Sequence, residues 1–329
     1  MKKILYFVIC PLVLLTACTK QQAVMDRPAF NSDSAYAYIE RQMAFEPRVP
    51  NSEAHTQCVV WLIEKLRELG AEVELQKGFM PDYRGNNQQI YNIIGHFKPS
   101  NKAEGSNKRN AQTILLGAHY DTRPWCDEEE NYSDRFYNVP GANDGASGVA
   151  VLLEVARQLG MRDSLLTPVD IIFFDCEDMG SPRVYTGLER EDTWCLGSQL
   201  WATNYAQKVC QAKPVYQYGI VLDMVGAPDA SFPREMYSTN YAANYQQQIW
   251  RSAQTLGYGA MFNDQQSYPI TDDHYYINRI AGIPCVDIIH YDIRNATGFP
   301  FWWHTRQDNM DNISKSTLQA VGEVIMSQL

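Results

Sequence analysis

The stretch Val169-Asp170-Ile171-Ile172-Phe173-Phe174-Asp175-Cys176-Glu177-Asp178 decides the fold. Val169 to Phe174 reads as one continuous apolar strand, as the interior of a parallel sheet covered on both faces demands. Two adjacent carboxylates, Glu177 and Asp178, follow it. At the end of a buried strand such a pair is costly unless a cation or a shared proton relieves it. Neighbouring side chains point to different sides, so one can bind a metal while the other reaches a substrate.

On the N-terminal side, Ala146 to Leu159 is apolar nearly all round and reads as a buried helix. Before it come strands at Glu72 to Phe79, Gln89 to Phe97 and Thr113 to His119. Asn51-Ser52 caps an amphipathic helix that Gly70 stops, and another helix runs from Asp33 to Phe45. On the C-terminal side, helices are expected at Leu196 to Val209, Ala242 to Leu256 and Ile313 to Leu329. Strands are expected at Tyr218 to Val225 and Cys285 to His290. Strands alternate with helices, so the class is α/β: a three-layer α/β/α sandwich around a central mixed β-sheet. Asn101 to Asn110 reads as a polar hairpin tip and Pro124 to Pro140 as a long acidic loop.

The chain has 329 residues, 45% hydrophobic and 20% charged, which excludes disorder, collagen and coiled coil. Its formal charge of −10, with no local Lys/Arg cluster, makes it a poor nucleic-acid binder. Met1-Lys2-Lys3 followed by the apolar run Ile4 to Leu15 reads as a secretory signal, too short for a stable membrane anchor. The run ends in Leu15-Thr16-Ala17-Cys18, which resembles the lipobox of bacterial lipoproteins. The expectation is a signal peptide over 1–17, then a lipidated Cys18 and tether over 18–28. A single catalytic domain then spans 29–329. Loss of Lys2 and Lys3 with the signal takes the formal charge to −12. Cys126, Cys195 and Cys210 are the loop or loop-adjacent candidates for a disulfide in an exported protein.

In open α/β sheets, ligands bind beyond the carboxyl ends of the strands. At those ends stand His119-Tyr120-Asp121, Glu177-Asp178 and Asp223. Gly141-Ala142-Asn143-Asp144-Gly145 precedes the buried helix, where Asp144 alone would read as its N-cap. Thr271-Asp272-Asp273-His274 and Phe299-Pro300-Phe301-Trp302-Trp303-His304 come later. Two carboxylates and one imidazole give a three-ligand zinc site with an open fourth position, the pattern of a catalytic zinc.

This order of residues resembles the zinc aminopeptidase superfamily with co-catalytic metals, whose metal ligands match His119, Asp144, Asp178, Asp223 and His304. Finer features look like one branch, the glutaminyl-peptide cyclotransferases: Leu222-Asp223-Met224-Val225-Gly226-Ala227-Pro228 with Phe232-Pro233, Asp272-Asp273-His274, and Phe299-Pro300 leading to Trp303-His304-Thr305. The resemblance implies closure of an N-terminal glutamine to pyroglutamate with release of ammonia. It implies one zinc, held by Asp144, Asp178 and His304, and Glu177 as the proton-shuttling base. Asp223 and Asp272 would form a hydrogen-bonded acidic pair beside it. Trp303 and Phe299 would line the glutamine pocket, and Trp194 is the nearest candidate for a second pocket tryptophan. Asp287 is grouped with the substrate-binding residues as a support of the acidic network. Asp178 stands where the animal enzymes have Glu, and Asp287 where they have His.

The competing reading is a di-zinc aminopeptidase, with His119 and Asp223 at the second metal. A third is a binding lipoprotein that kept the fold and lost catalysis. The expected partners are peptides or proteins with N-terminal Gln, with no nucleic acid and membrane contact only through the lipid on Cys18. The expected protein is a monomeric, exported bacterial lipoprotein of the cell envelope. His55, His96 and His290 read as structural or surface residues, and His274 as a candidate for the pocket rim. Asp127-Glu128-Glu129-Glu130 reads as a solvated loop face.

Overall fold

Alternate side chains of β3 (Thr113–His119) enter two different cores, which makes the molecule three layers deep. Ile114 and Leu116 point to one core and Leu115 to the other. These features come from a computed structural model, which describes residues 27–329 except 46, 99–111, 163–164, 166, 189, 191 and 209–214. The expected signal peptide, Cys18 and most of the tether lie outside the described residues, as do Cys210 and the 101–110 segment. No helix among the described residues is long and apolar enough to cross a membrane.

One six-stranded sheet carries the fold. Its order is β1 (Glu72–Pro81), β2 (Asn87–Phe97), β4 (Val169–Phe174), β3, β5 (Tyr216–Asp223) and β8 (Cys285–Ile289). β1, β2 and β4 pair antiparallel; β4, β3, β5 and β8 run parallel. The sheet is therefore mixed, as expected. β4 lies between β2 and β3, so the segment joining those two strands does not close a hairpin.

The larger core is covered by α1 (Ser32–Met43), α2 (Glu53–Glu68), α3 (Ala146–Gly160), α5 (Met236–Thr255) and α7 (Lys315–Met326). The opposite face is covered by α4 (Leu196–Gln207) and the π-helical turn Ile277–Ala281 that follows α6 (Asp273–Tyr276). The polar member of the deciding strand, Asp170, is buried but satisfied. It accepts a hydrogen bond from Tyr216 Oη at 2.6 Å and meets His96 Nδ1 at 2.8 Å.

Several elements differ from the sequence expectation. The α5 helix starts at Met236, capped by Glu235, and Ala242 marks a kink inside it rather than its beginning. A small parallel pair, β6 (Phe232–Arg234) and β7 (Phe262–Gln266), flanks that helix. The β7 residues Asn263-Asp264-Gln265-Gln266 are polar, so the strand has no apolar pattern to announce it.

Candidate active site

The parallel strands all end on one side of the sheet, and the chemistry gathers there. Cys176 leaves β4 with φ 54°, a left-handed conformation that bends the backbone so that Glu177 and Asp178 face the strand ends. Asp121, two residues past β3, fixes this bend by accepting from the N–H groups of Glu177 (3.0 Å) and Asp178 (3.3 Å). Asp308 does the same for the loop before α3, accepting from Asn143 N (2.8 Å) and Asp144 N (3.0 Å). Asp144 is not the helix cap. Gly145 takes that position at φ 92°, where a Cβ would lie 2.7 Å from Asp121 O.

Freed from capping, Asp144 points into the site. Its Oδ1 is 3.1 Å from His119 Nε2 and its Oδ2 is 3.5 Å from His304 Nε2. His304 Nε2 lies 3.1 Å from Asp178 Oδ1. The donor atoms of Asp144, Asp178 and His304 all fall within 4.8 Å of one another. A second group, His119, Asp144 and Asp223, meets the same criterion, with His119 Nε2 3.2 Å from Asp223 Oδ1. Asp178 Oδ2 is buried and makes no hydrogen bond among the described residues. Packed carboxylates with an orphaned oxygen and an imidazole fit a divalent cation. Burial holds His304 below its usual pKa against the pull of Asp178, which favours the neutral, metal-binding form.

Behind the cluster lies a carboxyl network. Burial, with the charge of Asp178 beside it, pushes Glu177 well up. Burial and then Asp223 push Asp272 up to about 6. Burial, with the charge of Asp272 next, also pushes Asp273 and Asp287 well up. The charge of Asp223 reaches Asp272. Asp223 Oδ1 is engaged by His119, while Asp287 lies against Asp272.

Asp287 does not touch the cavity. It is fully buried in β8, 3.5 Å from His274 Nδ1, and supports the network from below. His274 is likewise no rim residue: it is fully buried, with Nε2 3.0 Å from Glu235 Oε2.

These groups floor a cavity of about 440 Å³. Trp194, Phe299 and Trp303 wall it, and Asp144, Glu177, Asp178, Asp223, Asp272 and His304 are all exposed to it. Trp303 stacks on His304 at 3.9 Å, and Trp194 lies parallel to the same imidazole at 6.3 Å. Phe299 packs against Trp303 at 4.3 Å.

Sequence reasoning misses the scaffolding. Arg123 is fully buried, donates to Asp127 and to the carbonyls of Asp178 and Gly180, and lies over the Trp194 ring at 4.5 Å. Asp127 is therefore buried in an ion pair, not part of a solvated face. Cys126 and Cys195, two of the disulfide candidates, are both free and buried.

A mixed sheet with zinc-type donors at its strand ends defines a zinc exopeptidase-like α/β protein. Residues 92–329 match peptidase family M28, and the protein belongs to that family. A crystal structure of Tannerella forsythia glutaminyl cyclase matches at TM-score 0.84 and 43% identity, over 91% of this chain and 98% of that one. A Zn-dependent exopeptidase from Parabacteroides distasonis matches at TM-score 0.83 and 42% identity, over 92% and 98%. Aminopeptidase YwaD of Bacillus subtilis is 28% identical over 245 residues, 73% of this chain. The match spans 44% of the length of that curated relative. Family membership and the donor set together make zinc the cofactor.

Proposed function

We propose that the protein cyclises the N-terminal glutamine of peptides and proteins to pyroglutamate and releases ammonia. The observation that carries this reading is the cavity in which Trp194, Phe299 and Trp303 close around Glu177, Asp272 and the Asp144, Asp178, His304 cluster. A glutaminyl cyclase at 43% identity over 98% of its own length supports it. One zinc is expected, on Asp144, Asp178 and His304. The protein acts as a monomeric, exported lipoprotein anchored through Cys18, and needs no nucleic acid.

Zinc bound there supplies Lewis-acid polarisation of the γ-carbonyl. Glu177 takes a proton from the attacking α-amine and hands one to the departing amide nitrogen. The ring C–N bond forms as the γ-amide C–N bond breaks, and the nitrogen leaves as ammonia. Asp223, exposed at the cavity, holds the neutral α-amine by accepting a hydrogen bond from it. Asp272 keeps a proton close to the Glu177 side of the site. Nucleophile and electrophile belong to one molecule, so the main task is to hold the near-attack conformer. The aromatic walls do this and exclude water.

The test is incubation of the zinc-loaded protein with Gln-Ala, following ammonia and products. Pyroglutamyl-Ala with ammonia is expected. Free Gln and Ala would show a peptidase instead, and no reaction would leave a binding protein.

A further inference from the structure

A second cavity, of about 400 Å³, abuts the first. Thr297, Phe299 and Trp303 line both, so these three residues form a shared wall. The far side of the second cavity carries His290 and three carboxylates, Glu128, Asp229 and Asp292. Two of these are already paired: Asp292 with Arg294 at 2.6 Å and Glu128 with Arg183 at 2.6 Å. Asp229 is exposed and makes no hydrogen bond or ion pair among the described residues, so the lining keeps a net negative charge.

His290 is the unusual member. It is 2% exposed, lines the cavity, and its Nδ1 has no hydrogen-bond partner among the described residues. Its ring packs against Trp302 at 5.9 Å. Burial pushes it down to about 4 although Asp229 and Asp292 favour its charged form, so it presents a neutral imidazole. Aromatic faces complete the lining: Phe299 and Trp303, and Phe301, which is 66% exposed.

A free carboxylate, a neutral imidazole and aromatic faces suit one chemistry, an aliphatic stem that ends in a cation. The occupant follows from the shared wall. A peptide whose first residue fills the active cavity must leave it along the rim, and Phe299 and Trp303 lead into the second cavity. We propose that this second cavity is a specificity subsite that takes a lysine or arginine side chain of the peptide substrate, one or two residues after the glutamine that cyclises. The subsite rests on the cyclase reading above.

The test compares kcat/KM for Gln-Ala, Gln-Lys-Ala-amide, Gln-Ala-Lys-amide and the two corresponding Glu-containing peptides. The better lysine peptide should exceed its glutamate counterpart about fivefold, the scale of one exposed ion pair. That advantage should shrink in high salt. Asp229→Asn should narrow it, and Asp229→Lys, at an exposed position where folding is not at stake, should reverse it. Equal rates for lysine and glutamate peptides would overturn the subsite while Gln-Ala turnover left the reaction standing. An Asp229→Lys variant with the unaltered preference would do the same. Failure to cyclise Gln-Ala itself would overturn the reaction, and the subsite with it.

Discussion

The thiol of Cys195 lies 3.0 Å from Glu177 Oε1; Cys195 is buried, and Glu177 lines the cavity. The contact is held from both ends. Cys195 sits in the left-handed region at φ 55°, and its N–H donates to Glu177 O at 2.8 Å. A non-glycine residue adopts that conformation at a cost, so surrounding structure must impose it. The S–H is the donor, because burial and the neighbouring carboxylates push the thiol well above its usual pKa. Cys195→Ala removes the donor and frees the carboxylate to turn. kcat is expected to fall about tenfold, as loss of one hydrogen bond to an ionisable group predicts. Cys195→Ser should recover part of that loss. Steady-state kinetics with zinc analysis of each variant checks this; an alanine variant with full kcat would remove Cys195 from the mechanism.

Glu177→Gln keeps the shape of the side chain and removes the proton acceptor. Turnover of Gln-Ala should fall by about 100-fold or more, the scale of a general acid–base group. Zinc content should persist, since Asp144, Asp178 and His304 remain. A variant that cyclised at the normal rate would assign the base elsewhere.

The Trp194 ring packs into the space beside the Gly180 backbone that a side chain would occupy. A Cβ on Gly180 would lie 1.8 Å from Trp194 Cε2, overlapping the ring. Gly180→Ala must displace Trp194 from beneath the Arg123 guanidinium and from its place parallel to His304. We expect KM for Gln peptides to rise several-fold, with a change in intrinsic tryptophan fluorescence. Unaltered KM would mean that Trp194 does not shape the glutamine pocket.

The layers of this fold are legible because burial on both sheet faces leaves apolar runs such as Ile171-Ile172-Phe173-Phe174. The site is legible because carboxylates at buried strand ends are too costly to be ornamental. Glu177 and Asp178 stand out for that reason, and Trp194 lines the cavity despite the irregular loop before it. What sequence order hides is support. Asp121 and Asp308 act through backbone N–H groups of residues distant in sequence. Asp287 reads as a support of the acidic network grouped with the substrate-binding residues, and its strand position sets it against Asp272 and away from the cavity. Cys195 reads as a disulfide candidate because nothing local says that a left-handed turn aims its thiol at Glu177. Such contacts depend on the relative placement of loops, which no periodicity encodes.

Glu235 ties the acid stability of the fold to the wall of the cavity. Burial alone would raise its pKa. The hydrogen bond and charge of His274 Nε2 at 3.0 Å, with the N–H groups of Ser238 (2.6 Å) and Tyr237 (2.8 Å), outweigh that and hold it at about 2. Its Oε1 also accepts from Ile270 N at 3.1 Å, and Ile270 lines the active cavity. The folded pKa is therefore below the unfolded one. The stability that Glu235 contributes is fully present above the ordinary Glu range and is lost as pH falls from there through about 2. The shift corresponds to about 3 kcal/mol between those limits. Denaturant unfolding of metal-free protein at pH 7, 4 and 3 measures it without a contribution from acid release of zinc. The parent should lose stability steadily over that range, and Glu235→Gln should start lower at pH 7 and fall less steeply. Parallel curves for the two proteins would show that the Glu235–His274 pair does not govern acid unfolding.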